Sequence, residues 1–467
     1  MWNRRSSIRR GALVGSAPIL ACPSDPGLAR VGLAAAVALS LALILPWAAG
    51  ASEDTPRTLV IAFDCLPYET VARLAGPQAG ERRLLAGLRG PVPLISSFPS
   101  TTSVSFGGIL GPLGLDRSPG YEARFFDWRR RRVVGGMLLS YFRIPFAWRE
   151  FFDWNRKSPA RRMLAALRPA RATRSWFERA VTAFQASDKP LFFVYNGATD
   201  TLAHLRGPQA FEGVLADLDR LLREARRRRP FRVVLLSDHG LAGGEPLRNV
   251  FAPVKRALRE AGWRYRRRLR GPRDVALTPF GLVSSFELYT AEGMEAEVAR
   301  EVAAVPGVDL CALRQRGGWT VVDGAGAARF TRRRGPAGAE WRYRPIDGDP
   351  LEYSDLAGEE WRGDRWWLES TAGHRYPDAL HRLARSFELV DNPASILCST
   401  GSGHMFGARK TERSARLTGG RLRWTHGALE RDATRGFLMS DDPRLPLTGP
   451  VRFDEALAPL AAPSPPT

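Results

Sequence analysis

The strongest constraint on the fold is a set of three short apolar runs, each followed directly by a polar residue. Thr58–Phe63, Leu191–Tyr195 and Arg232–Ser237 have the composition of buried strands. Helix-like stretches separate them, so we predict an α/β protein with a mostly parallel central sheet and helices on both faces. Ligands of such sheets bind beyond the carboxyl ends of the strands. Asp64 and the pair Asp238–His239, which follow two of the runs, therefore mark the predicted site.

The chain changes character along its length, and we predict a segmented organisation. Its 467 residues, 44% of them hydrophobic, are enough to bury a large core. From residue 249 onward, alternating strand-like segments predict a smaller α+β insertion in the core. The predicted segments are 1–51, a signal peptide or membrane anchor; 56–248, the first part of the catalytic core; 249–370, the insertion; 371–450, the second part of the core; and 451–467, a Pro/Ala-rich tail.

The N-terminal segment has the layout of an export signal. Five arginines precede an uncharged apolar run over residues 31–50, and Ala49–Ala51 supplies small residues for cleavage. We expect a periplasmic or secreted protein, or one anchored with its catalytic domain outside the cytoplasm, because the run is also near bilayer length. Two weaker alternatives are a lipid-attachment motif ending at Cys22 and a start codon placed too early.

The basic charge does not by itself indicate a nucleic-acid partner. The formal net charge is +21, and of the 69 basic residues four are Lys and 65 are Arg, which indicates a compositional bias more than a phosphate-binding surface. We interpret the arginine runs chiefly as solvated faces. The four cysteines lack metal-ligand spacing. In an exported chain, Cys311 and Cys398 are the candidate disulfide pair.

A set of acids and histidines has the composition of a divalent-metal site. Asp200 and His204 are four residues apart, so on a helix they share one face. Any one such residue alone is more often a cap or a satisfied core group. Together they suit zinc or a similar ion. The candidate ligands are Asp64, Asp200, His204, Asp238, His239 and His426.

Five motifs, in order, resemble the type I phosphodiesterase and nucleotide pyrophosphatase branch of the alkaline phosphatase superfamily. The resemblance covers nearly all of the chain from Thr58 to Asp442. It implies an alkaline phosphatase-like fold and a hydrolase of phosphate esters. The motifs are TLVIAFDCLP, SFPSTTSVSFGGILG, ATDTLAHLRGP, LLSDHGL and WTHGAL.

The resemblance also implies two divalent metal ions, for which zinc fits best and manganese or iron stays open. Thr102 would be both nucleophile and metal ligand, and it would form a covalent intermediate that water hydrolyses. Thr101 is the alternative nucleophile in the same turn. The implied ligand sets are Asp64, Thr102, Asp238 and His239 for one ion, and Asp200, His204 and His426 for the other.

One departure from the family bears on the substrate. These diesterases usually carry an Asn about twenty residues after the nucleophile, and no Asn occurs from Ser103 to Trp154. Arg124 or a backbone amide would have to donate to the phosphoryl oxygens instead. We predict a phosphodiesterase or nucleotide pyrophosphatase acting on a small phosphate ester. The alternatives are a phosphomonoesterase on the same scaffold and a weakly catalytic envelope protein that binds anionic polymers or lipids. A sulfatase is disfavoured, because no Cys lies near Thr102.

Overall fold

The computed structural model describes residues 56–115, 117–136, 146–154, 169–409, 411–413, 422–445 and 447–461. The predicted signal or anchor over residues 1–51 lies outside them. Among the helices described, none combines the length and the apolar character that a membrane crossing requires.

The chain from Pro56 onward forms one compact unit of short strands and helices. Its strands are β1 (Thr58–Phe63), β2 (Arg89–Ile95), β3 (Arg124–Asp127), β4 (Arg132–Gly135), β5 (Leu191–Asn196), β6 (Arg232–Ser237), β7 (Ala242–Gly243), β8 (Arg248–Asn249), β9 (Arg264–Tyr265), β10 (Asp274–Leu277), β11 (Leu282–Val283), β12 (Ser285–Tyr289), β13 (Val308–Gln315), β14 (Gly318–Val322), β15 (Ala327–Gly335), β16 (Gly338–Pro345), β17 (Arg362–Gly363), β18 (Ile396–Thr400), β19 (His404–Gly407), β20 (Trp424–Thr425), β21 (Arg435–Ser440) and β22 (Val451–Arg452). Its helices are α1 (Tyr68–Ala75), α2 (Thr102–Ile109), α3 (Ala147–Phe151), α4 (Pro169–Gln185), α5 (Ala198–Arg206), α6 (Phe211–Arg228), α7 (Phe251–Glu260), α8 (Glu295–Ala303), α9 (Asp364–Thr371), α10 (Ala379–Ser386), α11 (Arg431–Thr434) and α12 (Ala458–Ala461).

The central sheet has six strands in the order β22-β2-β21-β6-β1-β5. β1 pairs in parallel with β5 and β6, and β22 pairs in parallel with β2. Strand β21 runs antiparallel to both of its neighbours, β2 and β6. Five of the six strands therefore point the same way, and the predicted mostly parallel sheet is confirmed.

Both faces of this sheet are covered by helices, because its strands are apolar on both sides. Along β1, Val60 and Ala62 join one buried cluster, whereas Leu59, Ile61 and Phe63 join another. The apolar cluster that contains Val60 also takes residues from α2, α3 and α10. The apolar cluster that contains Leu59 also takes residues from α1, α4, α5 and α6. The predicted fold class is confirmed in this respect as well.

A second sheet of nine strands follows in the order β17-β16-β15-β14-β13-β18-β12-β10-β9. Its neighbouring strands pair antiparallel, except that β9 is parallel to β10. Helices α7 and α8 pack on one face in a separate apolar cluster. Most of this sheet lies in the segment predicted as the α+β insertion.

Two stretches belong to a different part of the fold from the one that the predicted segment boundaries assign to them. β18 lies in the predicted second part of the core, yet it pairs with β12 and β13 at the middle of the second sheet. Val451–Arg452, predicted as the start of a tail, pairs with β2 in the central sheet, and Phe453 is fully buried. The tail therefore cannot begin at residue 451, because these residues complete the edge of the core.

Candidate metal centre

The predicted ligands meet because several parallel strands end at one edge of the central sheet. In the register of β1, β5 and β6, Phe63 lies opposite both Asn196 and Ser237. Asp64 and Asp238 therefore follow at the same level, and α5 begins just after β5. Strand β2 runs in the same direction, so the turn that follows it, which contains the predicted nucleophile, also emerges at this edge.

Asp64, Asp238 and His239 form what we call the first cluster. One potential ligand atom from each lies within 4.8 Å of the others. His239 Nε2 stands 3.5 Å from Asp64 Oδ1 and 3.4 Å from Asp238 Oδ2. The other oxygens of the two acids are fixed from outside the cluster, because Tyr195 Oη donates to Asp64 Oδ2 and Cys65 N donates to Asp238 Oδ1 at 3.2 Å.

Asp200, His204 and His426 form the second cluster. Asp200 Oδ1 lies 3.1 Å from His204 Nε2 and 3.5 Å from His426 Nε2. Asp200 and His204 share one face of α5, as the spacing predicts. The two clusters adjoin each other, since the rings of His239 and His426 stack with centroids 4.1 Å apart.

Each of the three histidines is oriented by a hydrogen bond from its Nδ1 to a backbone carbonyl. The Nδ1 atoms of His204, His239 and His426 lie 2.8, 3.0 and 3.0 Å from the carbonyl oxygens of Trp424, Gly240 and Ser100, respectively. A carbonyl oxygen only accepts, so each Nδ1 carries the proton and each Nε2 presents a lone pair toward its cluster. This is the arrangement that fixes histidine ligands in metalloproteins.

The electrostatics of the first cluster favour a bound cation. Burial, together with the neighbouring carboxylates, raises the pKa of Asp64 well above its ordinary value. Burial likewise raises the pKa of Asp238 and lowers the pKa of His239. In the second cluster burial opposes ionisation of Asp200, but positive charge on the rings of His204 and His426 lowers its pKa well below the usual range. A dication supplies the positive charge that the crowded acids lack.

Buried polar atoms without hydrogen-bond partners lie at the positions that metal ions would satisfy. Among the described residues these atoms include Asp238 Oδ2 and His239 Nε2 in the first cluster and Asp200 Oδ1 in the second. An unpaired buried polar atom is costly, and native proteins retain few of them. With carboxylate and imidazole donors on both sides, the residues fit two divalent ions.

The predicted nucleophile lies at the first cluster. Thr102 begins α2 and is partly exposed, and its hydroxyl donates to Asp64 Oδ1 at 3.3 Å. Thr101, the alternative, is buried, and its Oγ1 has no hydrogen-bond partner among the described residues. Arg124, one of the candidate phosphoryl donors, lies on β3 and donates from Nη1 to the Pro279 carbonyl at 3.3 Å.

The loop that carries His426 is hydrogen-bonded to the nucleophile turn. Ser100 N donates to Gly427 O at 3.2 Å, and Ser284 N donates to His426 O at 2.7 Å. Gly427 has φ +110°, and a Cβ there would stand 2.9 Å from Ser285 Oγ, so only glycine fits this turn. The second sheet, through Ser284 and Ser285 at β12, therefore helps to place a ligand of the second cluster.

Sequence reasoning missed three residues that surround the centre. Tyr195 ends an apolar strand motif, which indicates burial and no role at the site. Cys65 has no metal-ligand spacing in the sequence, yet its sulfur lies near the second cluster. Arg382 is fully buried on α10 and donates to the nucleophile turn and to the loop after His426. An arginine inside an otherwise amphipathic helix is the one sequence signal that could have indicated such a role.

His404 and His381 make their contacts outside the two clusters. His404 Nδ1 faces the Ser402 carbonyl at 3.0 Å. His381 Nε2 lies 3.2 Å from Asp454 Oδ2, and its Nδ1 lies 3.5 Å from Asp364 Oδ1. Although burial opposes its charge, these two acids raise the pKa of His381 to about 9.

The cysteine pair predicted for an exported chain is close in space. Cys311 on β13 and Cys398 on β18 lie directly opposite each other in the second sheet. Their sulfur atoms are 2.8 Å apart, both side chains are buried, and both are thiols here. The disulfide itself stays a prediction.

The fold and the site together define an α/β protein with a two-cluster carboxylate–imidazole centre. No family model matches the sequence, and no curated protein matches it. Among solved structures, murine ectonucleotide pyrophosphatase/phosphodiesterase 5 is similar at 13% identity and a TM-score of 0.46, over 88% of this chain and 97% of that one. Phosphonoacetate hydrolase from Sinorhizobium meliloti 1021, in complex with phosphonoformate, is similar at 14% identity and a TM-score of 0.49, over 87% and 97%. These similarities concern the fold alone, so the chemistry of this chain is argued from its own side chains.

Proposed function

We propose that the chain is a metal-dependent hydrolase of phosphate esters in the alkaline phosphatase superfamily, acting as a phosphodiesterase or nucleotide pyrophosphatase. The observation that carries the proposal is the position of Thr102, whose hydroxyl lies 3.3 Å from Asp64 Oδ1 beside two adjoining clusters of metal-type ligands. A nucleophile beside two such clusters is the arrangement used for in-line displacement at phosphorus.

In this proposal the first cluster with Thr102 holds one divalent ion, and the second cluster holds the other. When bound, the ions would lower the pKa of the threonine hydroxyl and stabilise charge on the phosphoryl oxygens. Asp64 keeps Oγ1 at the cluster through the hydrogen bond that it accepts. Each of the three histidine Nδ1–H groups donates to a backbone carbonyl, so every Nε2 stays available as a ligand.

The reaction proceeds through two displacements at phosphorus. Thr102 Oγ1 loses its proton and forms a bond to phosphorus, while the bond from phosphorus to the leaving oxygen breaks and that oxygen takes up a proton. Water then attacks the phosphoryl-threonine or nucleotidyl-threonine, the Oγ1–P bond breaks, and Thr102 regains its proton. The leaving group departs in the first half and the phosphate product in the second.

The helix that begins at Thr102 offers a substitute for the missing asparagine. The first amides of a helix have no intrahelical acceptors, and its N-terminus attracts anions. Val104 N and Ser105 N both donate to Thr101 O, at 3.1 and 2.9 Å, so the amides of Thr102 and Ser103 precede the first backbone bonds of α2. We propose that these two amides, and not Arg124, donate to the phosphoryl oxygens.

The test compares hydrolysis of bis-p-nitrophenyl phosphate and p-nitrophenyl phosphate by the purified protein with added zinc. Thr102→Ala should reduce diester turnover by roughly a thousandfold or more. Thr102→Ser is the matched control, since it keeps the hydroxyl and should keep much of the activity. Thr101→Ala distinguishes the two threonines of the turn.

Each outcome decides between stated alternatives. Diester cleavage lost in Thr102→Ala alone supports the proposal, whereas loss in Thr101→Ala alone moves the nucleophile to Thr101. A preference for the monoester indicates a phosphomonoesterase on the same scaffold. No turnover of either ester with zinc, manganese or iron rejects the enzyme and favours the envelope binding protein.

We further propose that the chain is exported. The support is the arginine-rich start followed by the apolar run over residues 31–50. Cell fractionation with N-terminal sequencing tests this proposal. A mature N-terminus close to Ser52 outside the cytoplasm indicates cleavage, an intact chain in the membrane fraction indicates an anchor, and an intact soluble cytoplasmic chain contradicts export.

A further inference from the structure

The sulfur of Cys65 lies beside the second cluster, although the residue follows a ligand of the first. Sγ of Cys65, one carboxylate oxygen of Asp200 and one ring nitrogen of His426 all lie within 4.8 Å of one another. Zinc ligands at roughly 2.0–2.3 Å in a tetrahedral site stand about 3.3–3.8 Å apart, so small side-chain adjustments bring these atoms onto one ion.

The backbone at Cys65 is held in the conformation that places the sulfur there. Its φ is +66°, in the left-handed region that residues with a Cβ rarely adopt. Cys65 N donates to Asp238 Oδ1 at 3.2 Å, and Leu66 N donates to Ser237 Oγ at 2.8 Å. The amides thus fix the turn against β6, and the side chain is fully buried.

An unpaired carboxylate oxygen also indicates an ion at the second cluster. Asp200 Oδ1 is a buried atom without a hydrogen-bond partner in the described part of the chain. His426, only 6% exposed, donates from Nδ1 to Ser100 O, which leaves Nε2 directed at that oxygen from 3.5 Å. In the second cluster, therefore, Asp200 Oδ1 and His426 Nε2 converge, and the Cys65 sulfur lies beside them.

The thiol proton can leave without creating a new unpaired group. In the structure Cys65 Sγ donates to Gly240 O at 3.4 Å, and His239 Nδ1 donates to the same oxygen at 3.0 Å. When the sulfur binds a metal ion, its proton goes to solvent and a metal–sulfur bond forms. Gly240 O still accepts from His239, so no buried acceptor is left without a donor.

We propose that Cys65 supplies a thiolate ligand to the ion of the second cluster and thereby selects zinc over harder ions such as manganese. The inference rests on the metal centre proposed above. Without the sulfur, the second cluster offers one carboxylate and two imidazoles, which accept zinc, iron and manganese alike. A thiolate adds a soft donor that manganese binds poorly.

The test uses the full chain loaded with cobalt(II), because thiolate-to-cobalt charge transfer gives a near-ultraviolet absorption that oxygen and nitrogen ligands do not give. Cys65→Ser removes the sulfur at almost constant volume. Cys65→Gly is the second variant, since glycine adopts φ +66° without strain and should fold at least as well. Cys398→Ser is the matched control, a buried thiol in the second sheet.

We expect two cobalt ions per chain, with the charge-transfer band present in the wild type and in Cys398→Ser and absent from both Cys65 variants. Zinc affinity at the second cluster should fall at least about tenfold in those variants, a loss no smaller than that from removing an outer-shell partner. Manganese affinity should change little.

Two cobalt ions with no charge-transfer band in the wild type, or a band that survives in Cys65→Ser, would overturn the inference. If diester turnover persists in that case, the proposed function stands and only the sulfur ligand fails. Failure of every variant to bind cobalt, zinc or manganese would overturn the metal centre and the sulfur ligand together.

Discussion

Replacement of Arg382 by lysine tests whether one buried side chain holds the active-site loops together. The guanidinium lies on α10 and makes six hydrogen bonds. Nε donates to Ser96 O at 2.7 Å, Nη1 to Leu429 O at 2.9 Å and Nη2 to Thr434 Oγ1 at 2.8 Å. The other three acceptors are Pro377 O, Ser97 O and Ser100 Oγ, at 3.0, 3.2 and 3.2 Å.

The expected loss of unfolding free energy follows from the different geometries of the lysine and arginine cations. A lysine ammonium has three donors on one nitrogen, whereas the guanidinium spreads five donors over a planar fork. Arg382→Lys must therefore lose about three of the six buried hydrogen bonds. At about 1 kcal/mol for each lost hydrogen bond, the free energy of unfolding should fall by about 3 kcal/mol.

The same change should weaken the second cluster. Ser100 O accepts the Nδ1–H of His426, and Arg382 Nη2 donates to Ser100 Oγ. A looser turn leaves that histidine less well oriented, so zinc affinity at the second cluster should fall by roughly 10–100-fold.

The assay is urea unfolding of the metal-free protein, so that bound metal does not contribute to the difference, followed by zinc titration against a chromophoric chelator. Arg365→Lys is the matched control, because the Arg365 side chain is 53% exposed and pairs, among the described residues, with the surface carboxylates of Glu369 and Glu455. Its effect should stay below about 1 kcal/mol. The reasoning is refuted if Arg382→Lys unfolds at the same urea concentration as this control and binds zinc as the wild type does.

Three further predictions concern the surroundings of the site. Tyr195→Phe removes the hydroxyl that donates to Asp64 Oδ2 and should weaken metal binding at the first cluster by roughly 10–100-fold, measured by zinc titration. Exported protein should carry a Cys311–Cys398 disulfide, seen as resistance of both thiols to alkylation until a reductant is added. The His381 pKa, about 9 when folded and about 6.5 when unfolded, contributes up to about 3 kcal/mol of stability that is fully present below pH 6.5 and lost as the pH rises through 9. His381→Gln should therefore flatten the fall in unfolding free energy over that range.

Each of these predictions has an outcome that would contradict it. Unchanged zinc binding in Tyr195→Phe would show that the phenol does not orient Asp64. Alkylation of Cys311 and Cys398 in exported protein without reductant would exclude the disulfide. A His381→Gln variant whose stability still falls as steeply as the wild type between pH 6.5 and 9 would assign that loss to other groups.

The local pattern of the sequence was enough to predict the central strands and the positions of the acids. β1 and β6 have the predicted bounds, and β5 extends one residue past its predicted end. Apolar runs with β-branched residues specify buried strands, and parallel strands bring their following residues to one edge. The four-residue spacing of Asp200 and His204 likewise specifies a shared helix face.

The tertiary structure decided which residues meet across long separations. No local pattern states that Cys65 reaches the second cluster, that Arg382 holds a turn 282 residues away, or that β18 inserts into the second sheet. The order and register of strands set these contacts, and they result from packing of the whole chain. A periodic pattern encodes which face of an element is buried, but it does not encode the partner against which that face packs.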